Sequence, residues 1–272
     1  MVIFPQAKIN LGLHVTEKRP DGYHNIETIF YPIDFRDALE IVSAGRNAKE
    51  DILTVTGIQI EGSHENNLVI TAVRKFREVH YFPAVKIHLH KAIPSGAGLG
   101  GGSSDAASTL KVINRSLGFP LSSQVLKAIA LSIGSDCPFF IDSKPSFATG
   151  RGEILKPVDL SLKGFYIILV NPGISISTRE AYENCLPENP EKKLSDIIYQ
   201  PVHLWKDIII NDFEKYVFRK YPEIGEIKER LYRSGAIYSS MSGSGSTLYG
   251  IFSGKPESDP AVEKNVIFEG VI

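Results

Sequence analysis

A glycine-rich stretch at residues 94–105 constrains this chain more than any other segment. It reads Pro-Ser-Gly-Ala-Gly-Leu-Gly-Gly-Gly-Ser-Ser-Asp, and five of its twelve residues are glycine. Before it, residues 85–90 alternate apolar and polar side chains, which predicts a strand. After it, apolar residues recur at helical spacing from 106 to 117 and predict a helix over 104–117, which Gly118 ends. The expected local order is therefore strand, glycine loop and helix.

A strand, a glycine loop and a helix start together favour an anion-binding site. Glycines let backbone N–H groups approach a phosphate closely, and the positive end of the helix dipole lies at the same place. The alternative reading is a flexible surface loop, because glycine-rich loops are common. The density of glycine, followed directly by Ser103-Ser104-Asp105, favours a phosphate-binding loop.

The composition of the whole chain is that of a globular protein in which basic and acidic residues nearly balance. The 272 residues fit two modest domains or one large one. Thirty basic residues against 31 acidic ones predict no nucleic-acid partner. Cys137 and Cys185 form no metal or disulfide pattern, and Lys8 interrupts any signal peptide. The longest apolar run, Phe165 to Val170, is too short for a bilayer, so we expect a cytoplasmic protein without a membrane partner. The sequence leaves the oligomeric state open between a monomer and a weak dimer.

Two segments near the N-terminus predict strands that carry polar residues. Residues 7–15 alternate, with Lys8, Asn10 and His14 on the face opposite the apolar side chains. From this segment alone, Lys8 is expected to be solvated. Arg19-Pro20-Asp21-Gly22 predicts a turn, which delivers Tyr23 and His24 to the start of a second strand. Such a pair usually packs against the core or caps a neighbouring element. It could also stack on a nucleotide base and bind the polar edge of that base.

The remaining patterns predict alternating strands and helices. Strands are expected within residues 38–61, 145–155 (a hairpin), 165–170 and 248–252, and helices over 68–76 with an Asn67 cap, over 122–133, from 178 and from 222. A second glycine-serine loop covers 242–247. The pattern of apolar and polar residues changes near residues 155–162, which predicts two domains, 1–157 and 158–272.

Asp136 is an isolated carboxylate. The chain has no Asp or Glu between Asp105 and Asp136, and apolar residues flank Asp136 on both sides. An aspartate two residues before Pro138 could simply cap the next helical turn. It could equally be a functional carboxylate, and the sequence pattern leaves both readings open.

The glycine loop does not match the commonest nucleotide-binding motifs. Residues 96–101 satisfy the dinucleotide fingerprint literally, but the preceding strand alternates with Lys and His, and no acidic ribose ligand follows at the expected distance. A Walker A loop would need Gly-Lys-Ser/Thr, and the protein-kinase motif set is absent from the sequence. The pattern Pro-x-Gly-x-Gly-Leu-Gly-x-x-Ser-Ser remains.

This pattern resembles the phosphate loop of the GHMP kinases, the superfamily of galactokinase, homoserine kinase and mevalonate kinase. The resemblance extends along nearly the full chain and is weakest over 183–220. It rests on five segments that occur in order: Ala7-Lys8-Ile9-Asn10-Leu11, Pro20-Asp21-Gly22-Tyr23-His24, Gly98 to Ala107, Gly134 to Phe140, and Ser242-Gly243-Ser244-Gly245. The turn with Tyr23-His24, combined with the triple glycine, is similar to the members whose acceptor alcohol carries cytidine diphosphate.

The resemblance implies an α+β, two-domain GHMP kinase fold, with a ribosomal protein S5 domain 2-like N-terminal domain and a ferredoxin-like C-terminal domain. It implies ATP-dependent phosphorylation, with Mg²⁺, of the 2-hydroxyl of 4-diphosphocytidyl-2-C-methyl-D-erythritol in the non-mevalonate route to isoprenoid precursors. The alternative is a GHMP kinase for another small alcohol, such as homoserine or mevalonate. A catalytically inactive nucleotide-binding protein is the rival of another class, which the presence of both Lys8 and Asp136 disfavours.

The resemblance also implies roles for individual residues. Asp136 would be the catalytic base, and Lys8 would keep it ionised and neutralise charge on the transferred phosphoryl group. Asn10, Tyr23, His24 and Tyr182 would hold the acceptor, with Tyr23 and Tyr182 on the two faces of the cytosine. Some members bind Mg²⁺ through a glutamate near the loop, and this chain lacks that glutamate. The metal ligands therefore stay unknown, and the hydroxyl of Ser104 is a candidate near Mg²⁺. ATP would contact Pro94, Ser95, Gly96, Ala97, Gly98, Leu99, Gly100, Gly101, Gly102, Ser103 and Ser104 through its phosphates, and Asn67 and Lys91 near its adenine.

Overall fold

A computed structural model describes residues 1–45, 47–60, 64–257 and 259–272. The elements follow in chain order as β1 (Val2–Ile3), β2 (Gln6–Lys18), β3 (His24–Arg36), β4 (Ala38–Ser43), β5 (Ile52–Gly57), α1 (Leu68–Val79), β6 (Val85–Lys91), α2 (Gly101–Ser116), α3 (Ser123–Ile133), α4 (Phe139–Asp142), β7 (Ser146–Thr149), β8 (Ile154–Pro157), β9 (Tyr166–Val170), α5 (Thr178–Glu183), α6 (Leu194–Ile197), α7 (Phe213–Lys220), α8 (Pro222–Arg233), β10 (Tyr238–Met241), β11 (Leu248–Phe252), α9 (Pro260–Glu263) and β12 (Val266–Val271). The α+β class predicted from the sequence is confirmed.

The chain forms two compact units that are discontinuous in sequence. The first unit comprises residues 1–8, 34–95 and 100–144, and the second comprises residues 9–33, 96–99 and 145–272. The division into segments 1–157 and 158–272 stays a prediction.

The first unit is built on a sheet in the order β1-β4-β6-β5. Strand β6 pairs antiparallel with β4 and parallel with β5. Its apolar residues are buried and its intervening Lys and His residues are exposed, so the predicted alternation over 85–90 is confirmed. The part of the predicted 38–61 region at residues 46 and 61 lies outside the described residues.

The helices of the first unit begin and end close to the signals that the sequence predicted, with two differences. Helix α1 runs to Val79, three residues past the predicted end at residue 76, and α2 begins early. Asn67 caps α1 by accepting a hydrogen bond from the Val69 N–H, and Ser122 caps α3 in the same way through Val125. Helix α2 begins at Gly101, inside the glycine-rich stretch, rather than at the predicted residue 104. The glycines therefore form the first turn of the helix as well as the loop.

The second unit contains the sheet β10-β11-β9-β12, in which every pair is antiparallel, and most of the sheet β2-β3-β7-β8. Strand β9 is buried at every residue, as its apolar run predicted. Helices α7 and α8 pack through Val217, Ile224 and Leu231 into one apolar cluster with residues of β9 and β11. The predicted hairpin is confirmed as the antiparallel pair β7 and β8. Among the described residues, no helix combines the length and the apolar character needed to cross a bilayer.

Candidate active site

Lys8 and Asp136 form an ion pair in the first unit. Lys8 lies on β2, Asp136 lies between α3 and α4, and Lys8 Nζ is 3.5 Å from Asp136 Oδ2. The Lys8 side chain is 4% exposed and that of Asp136 is 33% exposed. Burial lowers the pKa of Lys8, and the neighbouring Asp136 carboxylate opposes that shift. The pair thus combines a desolvated cation with a carboxylate that solvent can reach.

At this pair, one expectation from the local sequence is wrong, and one of the two open readings of Asp136 fails. Lys8 is not solvated, because the face of β2 opposite the apolar residues is also buried. Asp136 does not cap the following helix through its side chain, since α4 begins without a side-chain cap and the Asp136 carboxylate contacts Lys8 instead. Both readings treated the segments in isolation, whereas the contact joins residues that are far apart in the chain.

The start of α2 offers backbone donors beside Lys8. Gly100 precedes the helix with φ at +69°, and neither a side-chain cap nor an acidic residue is present in the first turn of α2. A side chain at Gly100 would lie 2.9 Å from the Phe140 ring and 3.3 Å from Lys8 Cε, so only glycine leaves room there. The first N–H groups of a 16-residue helix and its dipole therefore remain available to an anion.

A buried cluster of three charges ties the two ends of the glycine-rich stretch together. Lys91, at the end of β6, donates to the carboxylates of Asp37 and Asp105, and both ion pairs are almost fully buried. Asp37 Oδ1 also accepts from the N–H groups of Ala92 and Ile93, at 2.7 and 2.9 Å. Burial raises the pKa of Asp105 to about 7, and Lys91 opposes that rise. The Lys91 ammonium is thus engaged inside the unit, and its predicted position near the adenine stays a prediction.

In the second unit, residues 96–99 of the loop pack against the second glycine-serine loop. Gly98 adopts φ +79°, and a side chain there would lie 1.9 Å from the carbonyl oxygen of Ser242. Ser242 Oγ donates to the Gly98 carbonyl at 2.8 Å. Ala97 is 4% exposed and Leu99 is fully buried, so this part of the loop is packed rather than a solvated surface loop. The two loops fix each other's backbone.

Asn10 lies beside the same contact in the second unit. Its Nδ2 donates to Thr28 Oγ1 at 2.9 Å, and its backbone N–H donates to Ser242 Oγ at 3.2 Å. Its carbonyl accepts from the Tyr249 hydroxyl at 2.8 Å. Asn10 is 2% exposed, so these contacts hold it firmly in position. Whether it contacts an acceptor stays a prediction.

The predicted acceptor-binding aromatic residues also come together within the second unit. The His24 and Tyr182 rings stack with centroids 4.9 Å apart and planes at 14°, and the Tyr182 ring meets Phe213 edge-on. Tyr23 is 55% exposed, and the Arg151 guanidinium lies 4.7 Å above its ring. Burial, together with Lys18, lowers the pKa of His24. The unit therefore presents an exposed ring and a stacked pair whose two members are distant in the sequence.

The other predicted residues have structural contacts of their own. Asn67 caps α1, Ser104 is 1% exposed within α2, and Ser103 hydrogen-bonds the buried Cys137 thiol. Burial raises the pKa of Cys137 to about 12, which makes this thiol unreactive. Among the described residues, no group of three or more His, Cys, Asp or Glu side chains could hold a metal ion.

Sequence reasoning missed three residues that shape these sites. Asp37 and Asp105 hold the ends of the glycine loop, and Arg151 covers the ring of Tyr23. Asp105 was visible as the acidic residue that ends the glycine-rich stretch. Asp37 and Arg151 lie in a strand junction and a hairpin turn, where a charged residue has no distinguishing pattern.

Comparisons with known families and proteins agree over most of the chain. The family model described as GHMP kinases N terminal domain matches residues 67–144, and the model described as GHMP kinases C terminal matches residues 200–267. A protein of Parabacteroides distasonis is 54% identical over 252 residues, covering 93% of this chain and 92% of that protein. A protein of Bacteroides thetaiotaomicron is 52% identical over 263 residues, covering 95% and 96%. Both relatives are named 4-diphosphocytidyl-2-C-methyl-D-erythritol kinase.

Solved structures show the same likeness. A crystal structure of 4-(cytidine 5'-diphospho)-2C-methyl-D-erythritol kinase matches with a TM-score of 0.78 and 32% identity, covering 92% of this chain and 90% of that one. The mevalonate kinase of Methanococcus jannaschii matches with a TM-score of 0.63 and 14% identity, covering 97% and 92%. The second likeness is one of fold alone.

Proposed function

The chain belongs to the GHMP kinases, and from that premise we propose that it transfers the γ-phosphoryl group of ATP to the 2-hydroxyl of 4-diphosphocytidyl-2-C-methyl-D-erythritol. The products are the 2-phosphate and ADP, in the non-mevalonate route to isoprenoid precursors. Relatives that carry this activity in their names are more than 50% identical over more than nine-tenths of the chain. The single structural observation that carries the proposal is the Lys8–Asp136 pair beside the start of α2.

Asp136 acts on the acceptor hydroxyl in this proposal. Its carboxylate, which is partly exposed, accepts the hydroxyl proton as the hydroxyl oxygen bonds to the γ-phosphorus. The bond from that phosphorus to the β–γ bridging oxygen breaks, and ADP leaves. Phosphoryl transfer has a loose transition state, so orientation of the hydroxyl contributes at least as much as proton removal.

Lys8 supplies positive charge where negative charge accumulates. Its ammonium is held by burial and by Asp136, so it needs little reorganisation when the phosphoryl group transfers. The open N–H groups of α2 provide further donors for the triphosphate, as expected for a loop that binds phosphate. Loss of Lys8 is therefore expected to be about as severe as loss of Asp136.

The acceptor is recognised through its cytosine in this proposal. Tyr23 has an exposed ring for stacking, and His24 offers ring nitrogens to the polar edge of the base. Tyr182, stacked on His24 in this structure, is proposed to cover the other face of the cytosine. Asn10 is proposed to position the erythritol part of the acceptor.

Mg²⁺ fits this site only when it binds together with ATP. The described residues contain no cluster of acidic or histidine side chains for a metal, and Mg²⁺ characteristically takes most of its ligands from phosphates and water. Ser104 is the residue proposed to lie near it. When bound, Mg²⁺ would neutralise phosphate charge.

Other finer expectations also remain proposals. They are a cytoplasmic location, the absence of a nucleic-acid partner, a monomer or weak dimer, the division into segments 1–157 and 158–272, and the contacts of Asn67 and Lys91 near the adenine.

An acceptor panel tests the proposed reaction. ADP release is measured with ATP, Mg²⁺ and, in separate reactions, 4-diphosphocytidyl-2-C-methyl-D-erythritol, homoserine and mevalonate. We expect strong turnover with the first acceptor only, and Tyr23→Ala should raise its KM about tenfold or more by removing the stacking contact. Equal turnover with homoserine or mevalonate would refute the acceptor assignment while leaving kinase activity in place.

A further inference from the structure

The first unit contains a cavity of about 760 Å³ whose lining shares only Ser104 with the residues proposed to bind ATP. One wall is a face of α2 that includes Ser108, Lys111 and Val112, and the opposite walls include Leu126 of α3 and Ile141 of α4. The N-terminal residues beside β1 close a third side. Lys8 and Asp136 are not among its lining residues. Its volume falls in the range of about 300–1,000 Å³ that is usual for small-molecule sites.

The walls and mouth of this cavity are largely apolar. Val112, Leu126 and Ile141 are buried, whereas Phe4 and Phe119 at the mouth are 58% and 66% exposed. Phe119 adopts a φ of +63°, a left-handed conformation that bulky residues rarely adopt. Two large exposed rings at the rim of a pocket offer contact area to an apolar ligand.

More basic than acidic side chains line the cavity. Lys111 and Arg115 line it, together with Arg36, which is paired with Asp34 outside the lining, and Asp142 is its one acidic lining residue. Asp142 Oδ2 is already paired with Lys127 Nζ at 2.5 Å, and Lys127 is not part of the lining. The cavity therefore presents more cationic charge than its own carboxylate can neutralise.

Lys111 is the cation placed deepest in this wall. Its Nζ donates to the Phe140 carbonyl at 3.3 Å, a neutral acceptor at long distance. Burial lowers the pKa of Lys111, and Asp142 opposes that shift. A desolvated ammonium gains most from an anionic partner that enters the same apolar surroundings.

We propose that this cavity binds a small amphipathic anion, with an aromatic or branched apolar body in the cavity and one sulfonate or carboxylate group on Lys111. Arg115 adds long-range attraction for the same charge. The proposal does not depend on the kinase reaction, because it rests on residues outside the proposed catalytic pair.

Two fluorescent probes with one shared body test the proposal. 8-Anilinonaphthalene-1-sulfonate carries the anionic group, and N-phenyl-1-naphthylamine has the same rings without it. We expect the sulfonate to bind once per chain and the neutral probe to bind about tenfold more weakly. Lys111→Met should reduce sulfonate affinity to that of the neutral probe, whereas Lys86→Met, at an exposed lysine outside the lining, should change neither.

A cavity-filling variant and a competition experiment locate the probe. Ser108 is buried in the α2 wall, so Ser108→Phe should abolish binding of both probes while the circular dichroism spectrum stays unchanged. Saturating ATP should not displace the sulfonate. Equal affinity for the two probes, no effect of Lys111→Met, or displacement by ATP would each overturn the proposal. If Ser108→Phe fails to fold, the Lys111→Met comparison decides alone.

Discussion

Lys8 shows how burial and pairing together make a residue chemically useful. An ammonium that is 4% exposed would be too costly to keep charged without a partner, and Asp136 supplies one at 3.5 Å. The two members are not equally buried, since Asp136 keeps a third of its side chain exposed. That asymmetry suits the proposed roles, because the carboxylate must reach an incoming hydroxyl whereas the cation needs only to stay in place.

Replacing Asp136 by asparagine tests its role in the chemical step. The amide would keep the shape of the side chain but could not accept the hydroxyl proton, so Asp136→Asn should lower kcat by about a hundredfold or more. The KM for ATP should change little, because the nucleotide contacts are proposed to lie on the loop and α2. Steady-state ADP release measures both constants. Asp142→Asn, which removes a nearby carboxylate paired with Lys127, is the matched control, and an unchanged kcat in Asp136→Asn would exclude the base role.

The sequence could identify these two residues but not their environment. Alternation placed Lys8 opposite the apolar face of β2, and the lack of neighbouring acids singled out Asp136. Both faces of β2 are buried over residues 7–15, however, and polar side chains of the second face contact residues distant in sequence, as Lys8 does with Asp136 and His14 with Asp212. A local pattern cannot report such packing, so the solvated reading of Lys8 was wrong although the residue was correctly singled out.

At the scale of elements, the glycine-rich stretch divides into parts with different requirements. Gly98 and Gly100 both have positive φ and both face close neighbours, Ser242 and Phe140 respectively. Gly96 has a similar φ of +66°, but nothing lies within 4 Å of where its side chain would be. Glycine is therefore needed at positions 98 and 100 because a side chain there would collide with a neighbour. At position 96 it is needed only because of the backbone conformation.

Alanine at these glycines separates the two requirements. Gly98→Ala would place a methyl group 1.9 Å from a backbone oxygen, so it should cost about 3 kcal/mol or more of unfolding free energy, or force the loop apart. Gly96→Ala meets no neighbour and should cost about 1 kcal/mol through its φ alone. Urea denaturation of both variants measures the difference. Equal losses would mean that the contact between Gly98 and Ser242 does not constrain the loop.

The Lys91 cluster joins β6, α2 and the junction between β3 and β4, and it should make stability depend on pH. The pKa of Asp105 is raised from its ordinary value of 3.8 to about 7, so the folded protein binds a proton that the unfolded chain releases. This contribution is complete below about pH 4 and is lost as the pH rises through 7. From pH 6 to pH 8 it should lower the unfolding free energy by about 1 kcal/mol.

Asparagine at Asp105 should remove that dependence. Asp105→Asn mimics the protonated carboxyl and leaves Lys91 paired with Asp37, so its unfolding free energy should change less between pH 6 and pH 8 than that of the parent. Denaturant titrations at the two pH values provide the comparison. Asp34→Asn alters an exposed carboxylate of the same unit and should keep the parent's profile. A parent profile retained in Asp105→Asn would show that another group carries the proton.

At the scale of the whole molecule, the order of motifs was more informative than any single element. Five motifs in sequence predicted the GHMP kinase family, which the relatives confirm. The same patterns did not predict α7 or β12, because α7 lies where the resemblance was weakest and β12 is half-exposed beside buried β9. The discontinuous composition of the two units was equally hidden, since contacts between distant segments leave no periodic signal.

ATP binding should stabilise the whole chain, and the variants should separate binding from chemistry. At about 100 times its dissociation constant, ATP adds about 2.7 kcal/mol to the unfolding free energy of a protein that binds it only when folded. Thermal denaturation with and without ATP, in the absence of acceptor, detects this as a rise in Tm. Asp136→Asn should keep the rise and Gly98→Ala should lose most of it, because only the second variant disturbs the phosphate loop. If Asp136→Asn lost the rise instead, Asp136 would have to contribute to nucleotide binding, and its low turnover could no longer be attributed to the transfer step.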